Sequence, residues 1–228
     1  MNYLINQCIF PIMAGDIAVG QGFVADGYFI TAAHVVKDNP SCFVQIGNKS
    51  IKLMGEKWLF QGERDVWYDE TQHDIIMCRI EGLLSPLHLS ARKVTFDDVL
   101  RSYCMLLKFD SANNKYYNEL SVKEATLKNM TGSNYMYCEC ERYEGSSGSP
   151  LLIDNEVVGI MHGGIGSTKL CAFLKVRSFI LPPEERKPDP NLYNKPDDPL
   201  TPAYFNRRAR EQMGDAFDGE GDAYWNVD

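Results

Sequence analysis

No stretch of the 228-residue chain approaches the roughly 18 consecutive apolar residues that would cross a membrane, so the sequence predicts no membrane segment. Positive charge is scarce as well. Lysine and arginine number 23 against 31 aspartates and glutamates, a formal net charge of −8. That balance argues against a protein that binds nucleic acid by neutralising phosphates. Residues 1–10 have no basic flank, long apolar stretch or small-residue cleavage site, and do not read as a secretory leader. Long helical periodicity and internal repeats are both missing. Cysteine occurs seven times, an odd number, at positions 8, 42, 78, 104, 138, 140 and 171, mostly inside apolar runs. That pattern fits reduced, buried thiols in a cytoplasmic setting better than a disulfide framework.

What the chain does contain, up to about residue 180, is short strand-like segments separated by turn signals. The clearest is 22–36, where an Asp26-Gly27 turn joins two β-prone runs, a strong hairpin signal. Further runs fall at 42–46, 51–60 and 75–80. A second group follows at 103–109, 120–127, 135–140, 151–153, 157–161 and 170–176. Many short strands in two groups predict an all-β architecture of barrels or sandwiches. The division expected is 1–85, 86–180 and a third segment, 181–228. In that third segment 7 of the 11 prolines fall between Pro182 and Pro202, mixed with charges, ahead of an acidic end. It reads as a Pro-rich linker and tail, with one short helix around 206–213.

Three segments hold the chemistry. Gly145-Ser146-Ser147-Gly148-Ser149-Pro150 surrounds a serine with glycines, so that the amides of Gly145 and Ser147 can point at one spot. Thr31-Ala32-Ala33-His34 ends a strand on an imidazole, one of only four in the chain. Asp74-Ile75-Ile76-Met77 places a carboxylate directly before a buried-looking strand; Asp65 and Asp69 are rivals that lead into no apolar run. A serine needs an imidazole to take its proton, a carboxylate to orient that imidazole, and donors for the oxyanion. Each segment alone has a bland reading: a flexible loop, a structural histidine, a strand-capping aspartate.

Taken together, in the order His, Asp, Ser, they resemble the signature segments of chymotrypsin-like serine proteases. The order is not that of α/β-hydrolases, and Pro150 with the β-rich run to Met161 excludes the helix that a hydrolase elbow needs. The resemblance covers about residues 8–180. It implies an all-β fold of two six-stranded antiparallel β-barrels, the first bearing His34 and Asp74 and the second Ser147. It also implies a Gly145/Ser147 oxyanion hole, an acyl-enzyme at Ser147, and no cofactor or metal. Cys138 and Cys140 lack a matching Cys/His pair and read as thiols facing the core.

Gly-Ser-Ser-Gly-Ser-Pro is most similar to viral polyprotein-processing proteases and to bacterial glutamyl endopeptidases. The free thiols and acidic end favour the viral branch, hence a polypeptide substrate cut in cis and in trans, in the host-cell cytoplasm. Such relatives bind a P1 Gln or Glu through a histidine on the strand after the nucleophile. That strand here reads Gly159-Ile160-Met161-His162-Gly163-Gly164. Aligned by Gly-Ile, Met161 lines the pocket and His162 points away; a bulge would bring His162 back. Glu141 and Arg142 can also reach the pocket and would select opposite charges. Alternatives are a protease-like binding module without turnover and a non-viral cellular serine protease.

Overall fold

The computed structural model describes residues 5–47, 49–53, 74–79, 85–129 and 134–180. The segment 181–228, its expected helix, and Asp65 and Asp69 lie outside the described residues.

The first sheet is built from β1 (Ile9–Ala14), β2 (Ile17–Ala25), β3 (Tyr28–Thr31), β4 (Phe43–Ile46), β5 (Lys49–Lys52) and β6 (Ile76–Arg79). Its strand order is β5-β4-β1-β2-β3-β6, all antiparallel. This sheet curls as a half-barrel, and among the described residues its edge strands β5 and β6 do not pair. Asp26 and Gly27 connect β2 to β3 with φ of 49° and 80°, the two positive values that a two-residue type I′ hairpin requires. A short helix, α1 (Ala33–Asp38), follows β3 directly.

The second sheet contains β7 (His88–Leu89), β8 (Leu100–Asp110), β9 (Lys115–Asn129), β10 (Tyr135–Glu139), β11 (Pro150–Ile153), β12 (Glu156–Gly164) and β13 (Leu170–Lys175). Six of these form a closed antiparallel barrel, because β11 pairs with both β8 and β12. The short β7 is an addition to the expected six, laid parallel against β12. A short helix, α2 (Arg177–Ile180), follows β13. The architecture is the two-barrel chymotrypsin-like one, with one barrel closed and the other, among the described residues, a curled half-barrel.

Each sheet has its own apolar filling. Val24, Phe29, Val35 and Val44 pack inside the first, and Leu127, Met136, Leu151 and Phe173 inside the second. A further cluster joins Ile9, Phe23 and Ile30 of the first sheet to Met105, Leu152, Ile160 and Leu174 of the second. Burial of this shared apolar layer holds the sheets face to face, so groups on one sheet keep fixed distances to groups on the other. All seven cysteines are free and buried. Burial pushes the Cys138 thiol up to about 12 and the Cys104 thiol up to about 11, so both stay protonated and inert. Among the described residues no helix is long and apolar enough to cross a membrane.

Candidate active site

The β3–β6 ladder pairs Thr31 with Ile76. Continuing past that pair, the chain from β3 turns into α1 while the chain entering β6 brings Asp74 alongside it. The Ala33 N–H donates to the Asp74 carbonyl at 3.3 Å and the His34 N–H donates to Asp74 Oδ1 at 2.8 Å. Ala32 and Ala33 are fully buried, and their small side chains let the helix sit this close to β6. The imidazole then closes on the same carboxylate, His34 Nδ1 lying 2.5 Å from Asp74 Oδ2.

A second imidazole reaches the same oxygen. His162 Nδ1 stands 2.7 Å from Asp74 Oδ2, and its ring meets His34 edge-on with centroids 5.2 Å apart. Tyr135 packs against the other side of His162, also edge-on at 5.2 Å. The side chains of His34, Asp74 and His162 are 32%, 15% and 26% exposed, so the group is shielded yet reachable. Burial pushes the Asp74 pKa up, but the hydrogen bonds from His162 and His34 and their charges outweigh it and hold the carboxyl below the usual carboxylate range. Burial pushes the His34 pKa down, and the hydrogen bond and charge of Asp74, with help from Asp38, more than reverse that. An ionised Asp74 accepts from both rings, which keeps the proton of each on Nδ1 and leaves each Nε2 as the acceptor nitrogen.

Ser147 lies in the loop between β10 and β11, pressed against β2. Gly148 has φ 87°, and a Cβ there would lie 2.1 Å from the Gln21 carbonyl oxygen and 2.6 Å from Thr31 Oγ1; only glycine fits. Gly145 has φ 72° and faces the Ala18 carbonyl in the same way, at 2.7 Å. Backbone bonds lock the loop on both sides: Gln21 N–H to Ser147 O at 2.7 Å, and Gly148 N–H to Met161 O at 2.7 Å. The Ser147 hydroxyl donates to the carbonyl of His162 at 3.1 Å. It therefore rests on β12, and engaging His34 requires it to leave that carbonyl, the loose geometry usual before substrate binds.

Gln21 is a participant that the motif reading missed. Its side chain is 2% exposed. Its Nε2 donates to the carbonyls of Met105 and Gly145, both at 3.1 Å, and its Oε1 accepts from Met105 N–H at 3.0 Å. One amide thus ties β2 to β8 and to the loop that carries Ser147. The signal was present as a lone amide between two glycines inside the otherwise apolar run 17–25.

The remaining expected residues divide. The ladder between β12 and β13 shifts register between Met161 and Gly163, so the irregularity that frees His162 exists, but it turns the ring onto Asp74. Met161 is 1% exposed and packs in the core of the closed barrel with Cys138, Cys140 and Cys171. Glu141 turns outward to an ion pair with Lys123. Arg142 crosses to the end of β12, where the guanidinium lies on the face of Gly164 and Nη2 donates to the carbonyl of Gly166, in the turn that follows, at 2.7 Å. Gly163 faces open space. Among the described residues one His/Cys/Asp/Glu group is close enough to hold a metal ion, the trio His34, Asp74 and His162, whose ligand atoms lie within 4.8 Å; shared protons account for its contacts.

The family model of the trypsin-like peptidase domain matches residues 20–160, a span that contains all three of His34, Asp74 and Ser147. No curated protein matches the chain. Among solved structures, the serine protease domain of the Sesbania mosaic virus polyprotein is similar at 19% identity, with a TM-score of 0.53 over 77% of this chain and 93% of that one. The tobacco vein mottling virus protease is similar at 15% identity and TM-score 0.53, over 75% of this chain and 77% of its own. The active form of the Rv3671c protease from M. tuberculosis is similar at 16% identity and TM-score 0.51, over 76% and 78%.

Proposed function

Since the chain belongs to the trypsin-like peptidases and is a chymotrypsin-like serine peptidase, we propose that His34, Asp74 and Ser147 are its catalytic triad and that it processes a polyprotein. In this reading His34 Nε2 takes the Ser147 proton as Oγ attacks the scissile carbonyl, and then returns it to the leaving amine. Asp74 holds the imidazole in the required tautomer and stabilises the imidazolium. The N–H groups of Gly145 and Ser147 receive the oxyanion. The observation that carries the reading is the double grip of Asp74 on His34, through backbone N–H and ring Nδ1 together, beside a serine loop in which only glycine fits at 148.

Polyprotein processing draws its support from the Sesbania mosaic virus relative, itself the protease domain of a polyprotein, and from the change of composition after Ile180. The expected substrate is a polypeptide with Gln or Glu at P1. The side-chain-free position at Gly164, with the Arg142 guanidinium lying on it, supports a polar P1 pocket there. A full-length preparation of this chain tests the reading. The wild type should cut within 181–228 and release the barrels, as read by intact mass, while Ser147→Ala stays whole. Asp74→Asn should slow the cut by about 10⁴-fold, because it favours the wrong imidazole tautomer. A wild type that cleaves peptides but never this segment would remove the processing role and leave the peptidase.

A further inference from the structure

The group that reads the P1 side chain is identified by what lies next to the nucleophile on β12. Ser147 Oγ touches the carbonyl of His162, and the strand then runs through Gly163 and Gly164. Gly163 has open space where a Cβ would stand. At Gly164 that space is taken: a Cβ would lie 1.6 Å from Arg142 Nη1 and 2.1 Å from its Cζ. Successive residues of a strand face opposite sides, so the bare Gly163 clears one face of β12. On the face of Gly164 the missing side chain leaves room that the Arg142 guanidinium fills, two residues beyond the carbonyl that Ser147 touches. Two residues of strand span ~6.6 Å, a reach that a Glu side chain with one charge-assisted hydrogen bond covers.

Other candidates for this position are committed elsewhere. His162 is held by Asp74, Met161 is in the core, and Glu141 pairs with Lys123. Glu139, also on the approach to the loop, pairs with Lys128. Arg142 differs from all of them. It spends Nη2 on Gly166 O, and among the described residues no carboxylate forms an ion pair with it. A half-buried guanidinium with donors left over and no counter-ion is a carboxylate receptor, since its planar fork matches both oxygens.

We propose that Arg142 is the specificity-determining residue of this peptidase and that the P1 side chain it takes is a carboxylate, Glu in preference to Gln. The proposal rests on the triad reading above, because it presumes that the substrate carbonyl sits at Ser147. Gln offers one neutral oxygen where Glu offers two charged ones, so the enzyme should discriminate between near-isosteric side chains.

The test uses the full chain and peptides that differ only at P1, with Glu, Gln or Lys, and active sites counted by fluorophosphonate labelling of Ser147. Wild-type kcat/KM should favour Glu over Gln by about tenfold or more. Arg142→Gln should collapse that ratio to near unity, Arg142→Lys should give an intermediate ratio, and Arg142→Glu should raise Lys above Glu. Should Arg142→Gln fail to fold, the Arg142→Lys ratio decides. A wild type that cuts Gln as fast as Glu, or an Arg142→Gln that slows all three peptides equally, overturns the proposal. A wild type that is neither labelled nor active overturns the triad reading, and this inference with it.

Discussion

At the scale of single residues, Asp74 governs the site because one of its oxygens serves two imidazoles. His34 needs a neutral Nε2 to act as base. Its pKa is raised above 6.5, since the hydrogen bond and charge of Asp74 outweigh burial. Activity should therefore fall as pH drops through a value above 6.5, the imidazole becoming charged and unable to take a proton. His162→Ala removes one donor from Asp74 Oδ2 and leaves that oxygen to His34 alone. The acidic limb of the pH profile of kcat should then move to higher pH. Losing a charge-assisted anchor should also lower kcat about tenfold, by the same factor for every P1 residue. A loss confined to Gln or Glu peptides, with the limb unmoved, would assign His162 to the substrate instead.

The same residues mark what was legible in the sequence. His34, Asp74 and Ser147 could be picked out because each needs distinctive neighbours: small residues before the imidazole, a buried strand after the carboxylate, glycines around the serine. His162 was less legible. Alternation along a strand assigns faces only while the register holds, and the shift between Met161 and Gly163 breaks it. The orientations of Glu141 and Arg142, neighbours in sequence, depend on Lys123 and Gly166, which local pattern does not connect to them.

At the scale of elements, the loop that carries Ser147 is shaped by what it leans on. Gln21 supplies three side-chain hydrogen bonds and one backbone bond, N–H to the Ser147 carbonyl, to that contact, while its own carbonyl accepts from the Thr31 hydroxyl at 2.6 Å within the first sheet. Gln21→Leu keeps most of the volume but leaves Met105 and Gly145 groups unpaired in a dry interface. It should destabilise the fold by about 2–4 kcal/mol. It should also lower kcat, since the Gly145 peptide loses its anchor. Urea denaturation and kinetics check both, and an unchanged midpoint would show that water replaces the amide. The hairpin at Asp26-Gly27 was readable from its turn residues. The inter-sheet contact was not, because its residues are distant in sequence: Gln21 meets Met105 and Gly145.

On the scale of the whole molecule, the two sheets each bring half of the proposed site. The first holds the hydrogen-bonded pair His34 and Asp74, and the second brings Ser147 and the β12 edge. A shared apolar layer sets their separation. Two groups of strands were evident from turn spacing, whereas the strand order of the first sheet and the parallel β7 depend on pairings between distant segments. The central claim is that these halves meet to activate one serine. Intact-protein mass spectrometry after brief exposure to a fluorophosphonate tests it most directly. The account predicts a single adduct that maps to Ser147, absent from Ser147→Ala and formed far more slowly in His34→Ala. An adduct on another residue, or labelling of Ser147 at an undiminished rate without His34, would contradict it.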